Sequence, residues 1–330
     1  MKTSRHQLGP TDQLTAILAF LAVFASSGIA QADQLFYDDL SSGANWTVKQ
    51  TPDSSAEFGY DYSQKGLPPA PGGSSDTIGL KFEVNNSPPG SEEQIIAYNS
   101  NASFTGKYTV RADVWINWAL VNGGPGTGTT EYAGVSVGHD GSGPTLSGAT
   151  LVFDGDGGVD GFDYHLYQGN DAALLRGHAF PPIAQAFPPV DIASTAPSQG
   201  QSGVTLAGAG GFQWMTLNVE VDTTSLGPAG LDGDLGFARF SMRSAASGKT
   251  VEIGIVDNSR AGPPVALSNG IALQLIDIYP SVTTNPAFSF AIFDNVRVLE
   301  GLIPIPEPSS GTLLMIAVAS PWRRGRRATS

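Results

Sequence analysis

A ten-residue segment beginning at Asp154, DGDGGVDGFD, carries the residue types best suited to chemistry in this sequence. Asp154, Asp156 and Asp160 are spaced so that their carboxylates could surround one ion. Calcium prefers several hard oxygen ligands, and the glycines let the backbone curl so that carbonyl oxygens can join them. The segment does not follow the EF-hand pattern, because Gly158 and Val159 occupy the fifth and sixth positions. The alternative is a plain turn between two strands, which Asp-Gly pairs also favour. Calcium is the one cofactor that the sequence suggests.

Two tryptophans, Trp115 and Trp118, are candidates for carbohydrate binding, because sugar rings stack on exposed indoles. Trp115 faces away from the aliphatic stripe of its segment, whereas Trp118 lies at odd spacing from it and falls on the aliphatic side. Because the two indoles face opposite sides, they are less suited to form one sugar-binding surface together. The alternative is that both indoles pack inside the protein.

Catalytic patterns find little support. Retaining glycosidases built on jelly rolls carry Glu-x-Asp-x-x-Glu on one strand, and Glu220-Val-Asp222 begins that pattern. Ser225 stands where the last carboxylate is needed, so an acid and a nucleophile are not both provided. The histidines beyond residue 33, which lack metal-ligand spacing and are expected in loops or on the surface, are His139, His165 and His178. We therefore predict no catalytic residues and no enzymatic activity.

Composition excludes several classes of protein. The 330 residues include no cysteine, which removes disulfides, thiolate metal sites and thiol catalysis. The net charge of −13 argues against a nucleic-acid partner, because phosphate binding needs clustered Lys and Arg. Residues 33–303 alone hold 11 Lys and Arg against 28 Asp and Glu, a net charge of −17. Such an acidic body suits a soluble extracellular protein and could also attract cations.

Alternation of apolar and polar residues with a period of two dominates residues 33–303 and predicts strands. The clearest examples are the segments 78–84, 108–118 and 214–221. Further strands are expected at 251–256, 271–278 and 288–298, and clusters of Gly, Pro, Asn or Asp separate them. No stretch shows a convincing helical stripe. We therefore predict an all-β fold with a single antiparallel sandwich, in which residues 181–203 form a long surface loop.

The two ends read as targeting segments. Residues 1–32 begin with basic residues and continue with an apolar run at 14–25, which is too short for a bilayer span and typical of a secretory signal peptide. Ala30 and Ala32 then form a small-x-small pattern, and cleavage is predicted before Asp33. Signal peptidase is therefore an expected partner.

The C-terminal segment, residues 304–330, combines a Pro-Glu-Pro element, a small-residue spacer, an apolar run and a basic stop. The Pro-Glu-Pro element consists of Pro306, Glu307 and Pro308. The basic stop consists of Arg323, Arg324, Arg326 and Arg327. Their order resembles the PEP-CTERM sorting signal of Gram-negative bacteria. The apolar run here is short and contains Pro321. The resemblance implies processing by an exosortase, with the tail anchored transiently in the inner membrane before release to the cell surface or matrix.

The body resembles exported proteins of planctomycetes and related bacteria that combine a signal peptide, a concanavalin A-like or laminin-G-like jelly roll and a PEP-CTERM tail. The similar segments are 36–39, 79–85, 104–118, 128–132, 154–167 and 293–298. The resemblance implies a jelly-roll body but no particular activity. We expect an exported, surface- or matrix-associated, non-enzymatic protein. One alternative is a carbohydrate-binding, lectin-like module, calcium-dependent or not, that acts on exopolysaccharide. A weaker one is a polysaccharide-degrading enzyme.

Overall fold

Two packed antiparallel sheets form the body of the protein. The computed structural model describes residues 32–73, 75–99, 101–120, 129–144, 146–157, 163–169, 171–177, 181–224, 236–257, 265–280 and 282–305. From Gln34 onward these residues belong to one compact unit. Among the described residues, no helix combines the length and the apolar character needed to cross a bilayer.

Fifteen strands and a few short helices make up the described chain. The strands are β1 (Gln34–Asp38), β2 (Trp46–Gln50), β3 (Ser54–Asp61), β4 (Ile78–Val84), β5 (Glu93–Asn99), β6 (Lys107–Asn117), β7 (Glu131–His139), β8 (Ala149–Phe153), β9 (Tyr164–Gln168), β10 (Asp171–Gly177), β11 (Trp214–Asp222), β12 (Phe237–Ser244), β13 (Thr250–Val256), β14 (Gly270–Asp277) and β15 (Phe290–Glu300). The helices are α1 (Pro181–Ala186) and α2 (Ile192–Thr195), and 3-10 turns lie at Tyr62–Lys65, Pro197–Gln199 and Pro286–Phe288.

The strands divide into an eight-stranded and a seven-stranded sheet. The eight-stranded sheet has the order β13-β12-β11-β6-β15-β4-β3, with β1 pairing beside β15. The seven-stranded sheet has the order β10-β9-β8-β7-β14-β5-β2. Successive strands cross repeatedly from one sheet to the other, as they do in a jelly roll. The predicted all-β fold with an antiparallel sandwich is confirmed.

Alternation along the strands builds the core between the sheets. In β6, Val110, Val114 and Ile116 are at most 1% exposed and belong to the main apolar cluster. Arg111 and Asp113 alternate with them and therefore lie on the outer face of the eight-stranded sheet. The strand predicted at 78–84 matches β4 residue for residue. The period of two thus predicts both where the strands lie and which face is apolar.

The segment predicted as a long surface loop at 181–203 differs from that expectation, because it contains α1, α2 and a 3-10 turn. Ile183, Phe187 and Ile192 are fully buried, so the segment packs against the body. Asp191 caps α2 by accepting a hydrogen bond from the Ala193 N–H at 3.2 Å. These helices are too short to produce a helical stripe, and their Pro-rich composition resembles that of a linker.

A polar network covers the outer face of the eight-stranded sheet. The carboxylate of Asp113 accepts hydrogen bonds from Gly72 N–H at 2.8 Å, Asn295 Nδ2 at 3.1 Å and Thr216 Oγ1 at 2.6 Å. Asp113 is only 1% exposed, and its bonds join β6, β11 and β15 to the segment 62–77 that crosses over them. A Cβ at Gly72 would collide with this carboxylate, so glycine permits the close approach.

Tyr62 fastens the same crossing segment at a second point. Its hydroxyl donates to Asp294 Oδ2 at 2.8 Å and accepts from the Ala70 N–H at 3.2 Å. Arg297 adds a bond from its guanidinium to the Gly72 carbonyl. The segment 62–77 therefore closes this face with satisfied hydrogen bonds rather than with apolar packing alone.

Two buried carboxyl groups titrate far from their usual range. Burial raises the pKa of Asp294 to about 7, against the favourable hydrogen bond from Tyr62. Burial and the nearby charge of Asp277 raise the pKa of Glu131 to about 8. Both groups therefore hold a proton in the folded protein at pH values where an unfolded chain has lost it.

The Asp113→Ala variant is expected to lose about 3 kcal/mol of unfolding free energy, because three buried donors would lose their acceptor. Urea denaturation measures this loss. Glu57→Ala removes an exposed carboxylate and should stay within about 0.5 kcal/mol of the parent protein. Equal stability of the two variants would refute the role of Asp113 as the junction of this face.

The free energy of unfolding is expected to fall as the pH rises from about 4 to about 8. The unfolded state releases the protons of Asp294 and Glu131 near the ordinary carboxyl pKa, whereas the folded state keeps them to about 7 and 8. Urea titrations at several pH values measure the slope. Glu131→Gln carries no titrating proton and should flatten the slope above pH 5. A variant slope equal to that of the parent would contradict the prediction.

Candidate functional site

The seven-stranded sheet has a second face that points away from the core. Val135, Leu151 and Leu273 project inward into the main apolar cluster. Tyr132 and Ile276 belong to a separate cluster on the opposite side. Because strand residues alternate between faces, the outer face carries the neighbours of the core residues. This outer face is therefore distinct from the core and has its own side-chain chemistry.

One row of residues crosses five strands on this face. Strand register places Tyr167, Thr150, Ser136, Ala272 and Tyr98 side by side, in that order. Ser136 and Thr150 share a hydrogen bond of 2.6 Å between their hydroxyl oxygens. The row thus begins and ends with a tyrosine and carries hydroxyl groups between them, a mixture of apolar surface and hydrogen-bonding groups.

A histidine and two tyrosines form a compact group at one end of the face. His165 Nδ1 lies 2.8 Å from Tyr167 Oη, and its ring stacks on that of Tyr132 with centroids 4.8 Å apart. His165 is 2% exposed and lies within β9, and His139 is also buried and ends β7. The expectation that both histidines lie in loops or on the surface is therefore wrong, because single polar residues do not reveal their strand pairing. His178 lies outside the described residues.

Three carboxylates meet beside this group. The last pair of the β8–β9 ladder is Phe153 with Tyr164, so Asp154 and Asp163 follow as direct neighbours across the hairpin. The Asp154 N–H donates to the Asp163 carbonyl at 3.0 Å. One carboxylate oxygen from each of Asp154, Asp156 and Asp163 lies within 4.8 Å of the others. These three residues, which we call the acidic triad, are 3%, 8% and 1% exposed respectively.

The surroundings of the acidic triad are polar and aromatic. Asp156 Oδ2 accepts a hydrogen bond from the Thr129 N–H at 2.8 Å. Burial raises the pKa of Tyr132, and the charges of Asp154 and Asp156 raise it further. Several buried oxygens with negative charge are the donor set that a hard cation such as Ca²⁺ prefers. The residues present therefore fit a divalent cation with oxygen ligands.

Trp115 and Trp118 lie in the interior, at 1% and 2% exposure, and neither indole can serve as a stacking platform. Trp115 Nε1 donates to Asn117 Oδ1 at 3.3 Å, and its ring meets Trp214 edge-on at 5.8 Å. The Trp118 ring lies so close to Gly155 that a Cβ there would collide with it. Trp118 thus supports the backbone between Asp154 and Asp156. Apolar packing in the core decides the position of both indoles.

No family model and no curated protein matches the sequence. Among solved structures, a Bacillus subtilis protein of unknown function with a galectin-like fold is 10% identical, with a TM-score of 0.42, over 83% of this chain and 99% of that one. The Ca²⁺/Man2-bound exoplasmic/lumenal domain of VIP36 is 7% identical, with a TM-score of 0.41, over 81% and 85%. The marine PL-14 alginate lyase from Aplysia kurodai is 13% identical, with a TM-score of 0.39, over 82% and 100%. Likeness at this level assigns neither a family nor an activity to the chain.

Sequence reasoning identified two of the three clustered carboxylates. Asp154 and Asp156 belong to the acidic triad, whereas Asp160 lies outside the described residues. Asp163 was missed, although the apolar residues that flank the segment could have revealed a hairpin in which it lies opposite Asp154. Ala30 and the sorting-motif residues 306–308 and 323–327 also lie outside the described residues.

Proposed function

We propose that this chain is an exported, non-enzymatic β-sandwich protein that binds extracellular polysaccharide and holds a calcium ion at the acidic triad. The observation that carries the proposal is the chemistry of the outer face of the seven-stranded sheet, which combines tyrosines, hydroxyl groups and clustered carboxylates, the mixture that sugar recognition uses. Most of these side chains on β7, β8 and β9 are buried, and the face opens at β5, where Tyr98 and Gln94 are half-buried.

Calcium binding is supported by the electrostatic repulsion within the acidic triad. Three ionised carboxylates within 4.8 Å repel one another strongly in a buried setting. A divalent cation removes that repulsion and takes hard oxygens as ligands. When bound, calcium would supply a positive charge and fix the ends of β8 and β9 relative to each other. Asp154, Asp156 and Asp163 would hold it, and the Tyr132 hydroxyl would remain a neighbour of Asp154.

Polysaccharide binding is supported by the accessible part of the same face. Tyr98 and Gln94 on β5 are half-buried and continue the rows of Tyr167 and Tyr132 across the sheet. Tyrosine provides an apolar ring with a polar tip, and an amide provides both a donor and an acceptor. Sugars require this combination, because their rings have apolar faces and hydroxyl-bearing edges.

A non-enzymatic role is supported by the use of the carboxylates. Glycoside hydrolysis needs two carboxyl groups on either side of a sugar with separate roles. Glu220 pairs with Arg239 at 3.1 Å, and Asp222 lies 3.8 Å from Lys107, so both serve ion pairs on the other sheet. The weaker alternative, a polysaccharide-degrading enzyme, would use His165 and Tyr167 as proton-transfer groups.

Export and sorting are part of the proposal. Residues 1–32 would be removed by signal peptidase, and the PEP-CTERM-like tail would be processed by an exosortase after transient anchoring in the inner membrane. The end of the body supports a boundary near residue 304. Arg111 Nη2 donates to the carbonyls of Ile303 at 2.9 Å and Pro304 at 2.8 Å, so the sandwich is fastened up to the start of the tail. The mature protein would then reside at the cell surface or in the extracellular matrix.

Calcium is expected to raise the thermal midpoint of the parent protein and to strengthen its retention on a panel of insoluble polysaccharides, because binding to the folded state stabilises it. Asp154→Ala and Asp163→Asn should each remove the calcium-dependent shift. Calorimetry, thermal unfolding and pull-down assays measure these effects.

Glu57→Gln, at an exposed carboxylate, is the matched control and should keep the full calcium response. Absence of both a thermal shift and calorimetric heat would refute the calcium site. Retention by no polysaccharide would refute the binding function. Release of reducing or unsaturated ends, abolished by Tyr167→Phe, would replace it with the enzymatic alternative.

Mass spectrometry of the chain produced in a host with an exosortase is expected to find the N-terminus at Asp33 and a loss of mass at the C-terminus. Deleting the exosortase gene or replacing Pro306-Glu307-Pro308 with alanines should leave the tail attached. An uncut C-terminus in the unmodified host would refute sorting, and an intact residue 1 would refute export through signal peptidase.

A further inference from the structure

A pocket of about 460 Å³ lies on the outer side of the seven-stranded sheet, where β5, β7 and β14 meet their loops. The residues that line it include Tyr98, Asn99, Asn101, His139, Asp140 and Asn269. Its volume falls within the range of small-molecule sites in proteins. Tyr98 and Tyr167 stand four strands apart in one row, which places the pocket about 19 Å from the tyrosine and histidine group near the acidic triad.

Asn99 provides a donor at the floor of the pocket. Its Oδ1 accepts hydrogen bonds from the Asn101 and Ala102 N–H groups, each at 3.0 Å, and these bonds fix the orientation of the amide. The side chain is 2% exposed, and its Nδ2 has no hydrogen-bond partner among the described residues. A buried amide donor without a partner costs free energy that an oxygen acceptor on a ligand would recover.

An aromatic pair forms the wall. The rings of Tyr98 and His139 are stacked at 6.1 Å between centroids and 24° between planes. His139 Nδ1 accepts a hydrogen bond from the Gly141 N–H at 2.9 Å, which holds the imidazole in place and assigns the proton of a neutral ring to Nε2. A Cβ at Gly141 would collide with the Tyr98 ring, so glycine allows the loop to lie flat against it. The half-buried Tyr98 is therefore presented in one orientation.

Charge in the pocket selects against acidic ligands. Asp140 is its only acidic residue, and no Lys or Arg is among the described lining residues. Hydrogen bonds from Ser142 hold the pKa of Asp140 below its usual value, so this carboxylate is ionised at neutral pH. Asn101 and Asn269, which also line the pocket, are exposed amides. The carboxylate and the amides can form hydrogen bonds with hydroxyl groups, and the negative charge of Asp140 repels carboxylated or sulfated sugars.

We propose that this pocket binds one residue of a neutral carbohydrate, with the sugar ring against Tyr98 and its hydroxyl groups bonded to Asn99, Asp140 and Asn269. The inference rests on the proposed function, because that function makes polysaccharide the ligand. The pocket would bind a neutral sugar of that polysaccharide at a site separate from the acidic triad. Binding here involves no calcium, because the acidic triad lies at the other end of the sheet.

The test uses the full chain and a set of neutral oligosaccharides of glucose, galactose and mannose, with uronic-acid oligosaccharides as the acidic comparison. Calorimetry in a chelating buffer is expected to detect binding of a neutral member. Asn269→Arg, which fills the rim from an exposed position, should weaken that binding at least tenfold. Tyr98→Ala should weaken it to a similar extent.

Thr284→Arg adds the same charge at an exposed position outside the pocket, and Tyr279→Ala removes an exposed tyrosine elsewhere. Both should bind like the parent, and thermal unfolding checks that every variant is folded. The proposal is overturned if no neutral member binds, if Asn269→Arg leaves binding unchanged, or if only the acidic oligosaccharides bind.

The two proposals fail in different ways. If Asp154→Ala abolishes polysaccharide retention while Asn269→Arg does not, the function stands and the pocket is not its site. If Asn269→Arg abolishes retention and calcium removal leaves retention unchanged, the pocket is supported as the binding site and the acidic triad takes no part in retention.

Discussion

The buried carboxylate of Asp113 is the junction on which the eight-stranded sheet depends. It lies on β6 and receives hydrogen bonds from β11, β15 and the segment 62–77. Burial raises the pKa of this carboxyl group, and the three hydrogen bonds oppose that shift because they favour the ionised form. In a chain without cysteine, such polar junctions take part of the role that disulfides play in many other proteins. The central strands and the segment that covers them are thereby held in one arrangement.

This junction also determines where a ligand can bind. The segment 62–77 and the bonds of Arg111 to Ile303 and Pro304 cover the central strands of the eight-stranded sheet, so that part of its outer face has little room for one. The outer face of the seven-stranded sheet is the other broad surface of the sandwich. The acidic triad and the Tyr98 pocket lie near opposite ends of it. These two sites are therefore the structural basis of the proposed function.

An acidic protein must manage its buried carboxyl groups, and this one does so in three ways. Asp113 remains among neutral hydrogen-bond donors. Asp294 and Glu131 keep their protons, because burial raises the pKa of each to about 7 and about 8. The acidic triad places three carboxylates together, an arrangement that a cation would stabilise. The first two solutions concern stability, and the third concerns ligand binding.

Sequence alone determined the fold class and located six of the strands, because alternation with a period of two is a local property. The strand at 78–84 and the apolar side of β6 are examples. It also identified Asp154 and Asp156, since their Asp-Gly context is visible without a structure. Only the tertiary structure decided which partners these groups meet. Asp163 joins them through the register of the β8–β9 hairpin, and Trp118 turns inward to support Gly155.

The Tyr98 pocket illustrates the same limit most clearly. Tyr98, His139 and Asn269 are far apart in the chain and come together because β5 and β7 both pair with β14. Hydrophobic alternation specifies which face a residue occupies but not which distant strand lies beside it. Pairing and register depend on turns, bulges and packing over the whole sandwich. The sequence therefore determined the fold class and the apolar faces of its clearest strands, and the tertiary structure decided the strand pairing and the sites.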